Sequence, residues 1–217
     1  MFTGIVEEKG EITQVNRNRN SLALTITGPI VTSDVAIGDS IAVNGVCLTV
    51  TSFGAEQFTV DVIPETFRAS SLADAKVGTL LNLERAMKAS DRLGGHFVSG
   101  HVDGVGKIER IYREDNAKYI HIGMPKEGLK YITQKGSVAV DGTSLTVFGV
   151  EATGFIISLI PETQLATILG SKVEGDPVNI EYDMLAKYLD RLLLAREDER
   201  NESTSITIDT LKQNGFI

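Results

Sequence analysis

The sequence predicts an all-β fold of two tandem, homologous antiparallel barrels followed by a C-terminal α-helix. Three observations lead to this prediction. Residues 38–50 are echoed by residues 135–147, and the segment Ile-Pro-Glu-Thr at 63–66 returns unchanged at 160–163. Many segments alternate apolar and polar side chains with the period of two that is typical of strands. After Asp183 the apolar period changes to that of a helix.

The repeat has a steady spacing. Gly45 and Gly142 are 97 positions apart, and so are Pro64 and Pro161, whereas the openings at Gly4 and Gly100 are 96 apart. A period of this length far exceeds the ~20–50 residues of a solenoid unit and fits a duplicated domain. We therefore expect an N-terminal barrel in residues 1–96, a second barrel in 97–182, and a separate helix and tail in 183–217.

The strands of the first copy are short and end at strong turn signals. Residues 21–26 and 58–63 alternate regularly, and residues 41–43 and 46–51 flank Asn44-Gly45, which predicts a tight hairpin with positive φ. Asp141-Gly142 is the same signal in the second copy. Pro64 and Pro161 should end a strand or lie at an edge, since proline donates no ladder hydrogen bond. We expect a short helix or turn in 67–76 and in 165–172.

The helix after Asp183 has no counterpart in the first copy. Asp183 is well placed to cap it, and its apolar stripe packs either on a barrel or on copies of itself in an oligomer. The polar residues 197–205 are expected to form a mobile tail. The stripe consists of Met184, Leu185, Tyr188, Leu189, Leu192 and Leu193.

Composition excludes several classes of protein. The formal net charge of −8 argues against non-specific nucleic-acid binding, which needs a basic surface. No apolar stretch reaches the ~20 residues of a membrane span, and a single cysteine fits a reducing, cytoplasmic setting. The three histidines and one cysteine show no zinc spacing, and no ATP or nicotinamide fingerprint is present.

The strand at 46–51 carries the first candidate site residues. Val46, Leu48 and Val50 share one face, while Cys47 and Thr49 share the other. In the second copy, Ser144 and Thr146 take the places of Cys47 and Thr49. This polar face either lines a ligand pocket or simply meets water on the barrel exterior. Cys47 by itself is either a small buried apolar residue or a nucleophile.

The differences between the copies are more informative than any single residue. His101 stands where the first copy has Ile5, and it either exchanges protons near neutral pH or is an ordinary surface histidine. Ala86 is likewise replaced by Asp183, and Asn44 by Asp141. Residues shared by both copies would hold the same ligand twice, whereas the differing ones would give two identical ligands different roles. Neutral drift after duplication is the alternative.

Several long motifs, in order, resemble the riboflavin synthases of the α-chain type, over residues 1 to about 200. They are the opening Met-Phe-Thr-Gly-Ile-Val, the segment from Asn44 to Val50, the glycine–histidine run at 94–102, the segment at 141–147, and both Ile-Pro-Glu-Thr segments. The resemblance implies two six-stranded Greek-key barrels. It also implies that two molecules of 6,7-dimethyl-8-ribityllumazine (hereafter dimethylribityllumazine) become riboflavin and 5-amino-6-(D-ribitylamino)uracil by four-carbon transfer, the last step of riboflavin biosynthesis. No cofactor or metal is implied.

The resemblance further implies a homotrimer held by the C-terminal helix, and the sequence leaves open whether lumazine synthase is a further partner. Its active site lies between the first barrel of one subunit and the second barrel of a neighbour. The positions tied to activity in the family are Ser40, Cys47, His101, Thr146 and Asp183.

By motif, each copy would contribute one substrate pocket. The first would contain Gly4, Ile5, Val6, Cys47, Leu48, Thr49, Asp61, Val62, Ile63, Pro64, Glu65 and Thr66. The second would contain Gly100, His101, Val102, Lys135, Ser144, Leu145, Thr146, Ser158, Leu159, Ile160, Pro161, Glu162 and Thr163. Thr49, Glu65, Thr146 and Glu162 are candidates for hydrogen bonds to the ribityl chain or the ring.

Two other functions remain open. Non-catalytic antenna proteins of the same tandem-barrel design bind a lumazine or flavin chromophore without turning it over. The retained Cys47, His101 and the segment 141–147 favour the enzyme. A flavin-binding barrel of a reductase would normally accompany a nicotinamide domain, for which the sequence shows no motif.

Overall fold

A computed structural model describes residues 1–17, 22–204 and 208–216 of the chain. Ser21, the first residue of one predicted strand, and residues 205–207 and 217 of the predicted tail lie outside the described residues. Twelve strands dominate the described part. They are β1 (Glu8–Arg17), β2 (Leu22–Thr27), β3 (Ser40–Val43), β4 (Val46–Phe53), β5 (Gln57–Val62), β6 (Leu80–Arg85), β7 (Gly104–Glu114), β8 (Ala117–Gly123), β9 (Ser137–Val140), β10 (Thr143–Val150), β11 (Gly154–Leu159) and β12 (Pro177–Tyr182).

The strands close into two antiparallel barrels of six. The first barrel runs β1-β2-β5-β4-β3-β6, and the second runs β10-β11-β8-β7-β12-β9. Because the barrel is closed, the second order can also be written from β7 as β7-β8-β11-β10-β9-β12. Each strand of the first barrel then corresponds to the strand six numbers later in the second. The predicted fold class is therefore confirmed, and the sequence repeat corresponds to a repeat of topology.

Each barrel has its own core, filled by the inward face of every strand. In the first barrel Ile12, Leu24 and Phe58 are fully or almost fully buried, and in the second Ile120, Val147 and Phe155 are. The alternation predicted for 46–51 is confirmed. Because Val46, Leu48 and Val50 are buried, Thr49 points outward and is exposed.

The predicted hairpins form, and their tips bring the barrels together. Asn44 and Gly45 have φ of 48° and 78°, and Asp141 and Gly142 have 44° and 76°. A Cβ built on Gly45 would lie only 2.7 Å from the backbone nitrogen of Gly142. Glycine is thus required here both for the turn and for this close approach. Both barrels belong to one compact unit, residues 1–183.

A symmetrical pair of asparagines links the two hairpins. Asn82 Nδ2 donates to the Asp141 carbonyl at 2.8 Å, and Asn179 Nδ2 donates to the Asn44 carbonyl at 2.8 Å. Both asparagines are buried. Since buried polar groups without partners are costly, this network specifies one arrangement of the barrels.

Helices occur where the repeats contain proline. Helix α1 (Pro64–Arg68) and helix α2 (Pro161–Ala166) each begin at the proline itself, followed by 3-10 turns at Ser71–Asp74 and Ile168–Gly170. The strand before each proline ends as predicted. The helices start earlier than the predicted windows at 67 and 165, because proline is favoured in the first helical turn.

The C-terminal helix α3 (Met184–Thr204) belongs to a separate unit and is followed by α4 (Ile208–Gln213). Its existence confirms the prediction. The helix continues to Thr204, so residues 197–204 of the predicted polar tail are helical. Within the described ranges, no helix has both the length and the apolar character that crossing a membrane requires.

Candidate active site

The outward face of β4 and β10 carries the side chains that differ between the copies. Cys47 and Ser144 are half-buried, whereas Thr49 and Thr146 are exposed. Leu48 and Leu145, also named as ligand contacts, point into the barrel cores and leave only their backbone for a ligand. The same holds for Val62 and Leu159. The polar face is thus on the barrel exterior, where a second surface would be needed to cover a bound molecule.

The opening segment of each copy, residues 1–6 and residues 97–102, crosses to the other barrel. The Ser144 N–H donates to the Gly4 carbonyl at 2.7 Å, and the Cys47 N–H donates to the Gly100 carbonyl at 2.8 Å. Between them, Phe2 and Val98 exchange two backbone hydrogen bonds, of 2.8 and 3.1 Å. The two segments therefore pair with each other while each docks on the opposite barrel.

This crossing brings the predicted residues together in a grouping that differs from the order of the copies. Grouping by copy put Gly4, Ile5 and Val6 with Cys47, and Gly100, His101 and Val102 with Ser144. The backbone contacts show the reverse pairing. We define the first-barrel site as the outward face around Cys47 with the segment 100–102. The second-barrel site is the outward face around Ser144 with the segment 4–6.

Two glycines make these contacts possible. Gly4 and Gly100 have φ of +76° and +82°, a backbone region that other residues rarely adopt. A Cβ on Gly4 would lie 2.6 Å from Ser144 Cβ, and one on Gly100 would lie 2.5 Å from Cys47 Cβ. Any larger residue would push the segment off the strand it covers.

Two buried glutamates hold the segments in place. Glu84 accepts from the Thr3 N–H and hydroxyl at 2.7 Å each, and from the Gly4 N–H at 3.0 Å. Glu181 accepts from the Ser99 N–H at 2.6 Å, the Ser99 hydroxyl at 2.7 Å and the Gly100 N–H at 2.9 Å. Burial raises the pKa of the Glu84 carboxyl, and the hydrogen bonds from Thr3 act against that rise. Both copies contain one of these glutamates, but neither is among the site residues predicted from the sequence.

The residues tied to activity by resemblance fall on or near these two faces. Ser40 pairs in register with Thr49 on the neighbouring strand, and Thr49 pairs with Asp61. Cross-strand neighbours share a face, so these three polar side chains form one outward row. His101 is exposed, and its backbone N–H donates to the Ser99 hydroxyl at 3.3 Å. Asp183 is half-buried at the end of the barrel unit.

The remaining predicted residues border the two faces. Ile63, Pro64, Glu65 and their repeats Ile160, Pro161 and Glu162 are exposed where β5 and β11 lead into α1 and α2, while Thr66, Thr163 and Ser158 are half-buried. Lys135 has a positive φ of 67°, and its Nζ lies 5.5 Å from the Phe148 ring centroid. Its counterpart in the first barrel is Gly38, with φ of +95°.

A charged cleft adjoins the first barrel. Its volume is about 640 Å³, and its lining includes Ile5, Ser40 and Ala86. Arg85 bridges Glu7 and Asp34 within it, and this bridging raises the pKa of the Arg85 guanidinium. The cleft thus brings together Ile5, Ser40 and Ala86, although Glu7 and Asp34 already pair with Arg85.

Comparisons with known proteins agree with this geometry. The model of the lumazine binding domain matches residues 3–86 and again residues 99–183. Riboflavin synthase from Bacillus amyloliquefaciens is 51% identical over 216 residues and that from Bacillus subtilis (strain 168) 50%, each with 100% of both chains covered. Riboflavin synthase from Actinobacillus pleuropneumoniae is 46% identical with the same coverage.

A solved structure shares the fold. LumP complexed with 6,7-dimethyl-8-(1'-D-ribityl) lumazine superposes with a TM-score of 0.75 at 26% identity, covering 84% of this chain and 99% of that one. The doubled domain match and the two barrels define a tandem lumazine-binding protein. Full-length identity near 50% to two riboflavin synthases narrows this class to one family. The chain belongs to the riboflavin synthase family.

Proposed function

We propose that this protein is a riboflavin synthase that converts two molecules of dimethylribityllumazine into riboflavin and 5-amino-6-(D-ribitylamino)uracil. The observation that carries the proposal is the pair of related but unequal outward faces on one chain. It is supported by full-length identity to riboflavin synthases. A reaction between two identical molecules needs two binding sites that are alike in what they hold and different in what they do.

The chemistry requires positioning and proton transfer more than a redox group. One lumazine loses a proton from its 7-methyl group, the resulting carbanion attacks the other lumazine, and the adduct splits so that four carbons change molecules. Holding both rings in one orientation makes this bimolecular step effectively unimolecular, which lowers the barrier by up to ~7–11 kcal/mol. The shared Thr49 and Thr146 suit the common ligand, and the unequal pairs Cys47/Ser144 and Ile5/His101 suit the unequal roles.

We propose the following site residues, grouped by the crossing of the opening segments. The first-barrel site comprises Cys47, Leu48, Thr49, Asp61, Val62, Ile63, Pro64, Glu65, Thr66, Gly100, His101 and Val102. The second-barrel site comprises Gly4, Ile5, Val6, Lys135, Ser144, Leu145, Thr146, Ser158, Leu159, Ile160, Pro161, Glu162 and Thr163. Ser40, Cys47, His101, Thr146 and Asp183 are proposed to act in the reaction.

Assembly into a trimer is part of the proposal, because the two faces lie on barrel exteriors and need a covering surface. The apolar stripe of α3 supports this assembly. In the single chain Leu185, Tyr188 and Leu192 are 59%, 65% and 64% exposed, which is unusual for large apolar side chains that follow one another at helical spacing. We further propose domains at 1–96, 97–182 and 183–217, a cytoplasmic setting, and association with lumazine synthase.

Incubating the purified protein with dimethylribityllumazine alone tests the proposal. We expect riboflavin to form without added cofactor, with two substrate molecules consumed for each riboflavin. Tight binding without turnover would instead support a chromophore-binding antenna protein. The absence of both binding and turnover would reject the lumazine site altogether.

A further inference from the structure

His96 is a buried histidine that contacts the second-barrel site. Its side chain is 8% exposed, and its Nδ1 lies 2.7 Å from Ser144 Oγ. Its other ring nitrogen, Nε2, is buried and has no hydrogen-bond partner. In the sequence, His96 is one of three histidines without zinc spacing and a member of the glycine–histidine run at 94–102, and only the folded chain shows its contact with Ser144.

The segment that carries His96 packs tightly on the same strand. The His96 N–H donates to the Thr3 carbonyl at 3.1 Å. A Cβ on the preceding Gly95 would lie 2.6 Å from Ser144 Cβ and 2.2 Å from the Thr3 carbonyl oxygen. This glycine lets the backbone approach closely enough for the imidazole to reach Ser144 from the buried side.

The environment keeps the imidazole neutral and selects one tautomer. Burial lowers the pKa of His96, and the nearby carboxylates of Asp183 and Glu181 act in the opposite direction. A neutral imidazole has one N–H. A buried N–H without a partner is rarer and more costly than an unfilled acceptor. The proton therefore belongs on Nδ1, where it is donated to Ser144 Oγ.

This arrangement fixes what Ser144 can offer a ligand. With the oxygen accepting from His96, the hydroxyl proton is free to be donated outward. In the first barrel the matching Cys47 thiol has no hydrogen-bond partner among the described residues, and a thiol is a weak donor. The two sites therefore differ in donor strength at the same position of the repeat.

We propose that His96 is a positioning residue of the second-barrel site. It orients the Ser144 hydroxyl so that the hydroxyl donates a hydrogen bond to a flat heterocyclic ligand, at a carbonyl oxygen or a ring nitrogen. The inference rests on the proposed function for the class of ligand. It extends that function because it assigns a strong hydrogen-bond donor to the second-barrel site and none to the matching position of the first-barrel site.

A double-mutant cycle on ligand affinity tests the proposal, with dimethylribityllumazine as the probe. Ser144→Ala and His96→Ala should each weaken binding to the second-barrel site by about five- to tenfold, as expected for one hydrogen bond. In the Ser144→Ala background, His96→Ala should cause no further loss. His96→Asn places an amide N–H near the position of Nδ1 and should restore most of the affinity.

His121→Ala is the matched control, since His121 is also buried in the second barrel, where it contacts Arg110 and Glu151 instead. It should lower the melting temperature but leave the probe affinity unchanged. Equal losses from His96→Ala with and without Ser144, or no rescue by His96→Asn, would overturn the proposal and leave His96 a packing residue. If the unmodified protein binds the probe without turning it over, the proposed activity is rejected. The double-mutant cycle would still test whether the Ser144 hydroxyl donates a hydrogen bond to the ligand.

Discussion

Replacing Glu181 by glutamine tests whether one buried carboxylate holds the segment that covers Cys47. Glu181 is 2% exposed and accepts three hydrogen bonds from Ser99 and Gly100. Glutamine keeps one oxygen for the two Ser99 donors but presents an NH2 group to the Gly100 N–H. One hydrogen bond to a charged acceptor is lost, which costs about 2 kcal/mol, within the ~1.5–3 kcal/mol typical of such bonds.

The single cysteine makes this loss measurable. The Gly100 carbonyl accepts the Cys47 N–H at 2.8 Å, so freeing the segment uncovers the thiol. A cost of about 2 kcal/mol corresponds to about a thirtyfold rise in the population of the open segment. We expect Glu181→Gln to accelerate labelling of Cys47 by an aromatic disulfide reagent by up to that factor.

Glu84→Gln is the matched control, because Glu84 makes the same three contacts with the segment that covers Ser144. Both variants should lower the melting temperature by about 4–8 °C, from ~2–4 °C per kcal/mol for a unit of this size. Only Glu181→Gln should accelerate the labelling of Cys47. Equal labelling of the two variants, or no change in either, would refute the crossing of the segments.

Three further predictions concern catalysis, assembly and backbone strain. His101→Ala should reduce the single-turnover rate by about 10²–10⁴-fold with a smaller effect on ligand affinity, as expected for a proton-transfer group. Cys47→Ser should reduce the rate less. Wild-type rates in both variants would show that these residues only line the pocket. Truncation before Asp183 should convert trimers to monomers in sedimentation and remove most activity, and a truncated protein that stays trimeric would contradict the role of α3. Gly4→Ala should lower the melting temperature more than Gly175→Ala. Both glycines have positive φ, but only a Cβ at position 4 would lie against another side chain. Equal melting temperatures would contradict the packing argument.

Much of the fold could be predicted because its signals are local. The alternation of buried Val46, Leu48 and Val50 follows from the two-residue period of a strand, and Asn44-Gly45 predicts a hairpin because few other residues adopt positive φ. The repeat then required the second barrel to copy the first. The extent of the helix beyond residue 197 could not be predicted, because polar composition does not reveal how far a helix continues.

The composition of each site was harder to predict because it depends on contacts between distant parts of the chain. Grouping residues by copy is the natural reading of a repeat, yet the pairing of Phe2 with Val98 carries each opening segment onto the other barrel. His96 illustrates the same limit. It lies next to two glycines in sequence, but only the folded chain brings its Nδ1 to Ser144.

Mixing two inactive variants tests the central claim most directly, namely that the reaction needs one site from each barrel of two neighbouring subunits. His101→Ala disables the first-barrel site and leaves the second intact, whereas Thr146→Ala does the reverse. In mixed oligomers, about one quarter of the subunit pairings would combine two intact sites, because each interface joins different surfaces of two chains. We predict that mixing restores riboflavin formation to about that fraction of wild-type activity. Activity no higher than the mean of the two separate variants would contradict the claim.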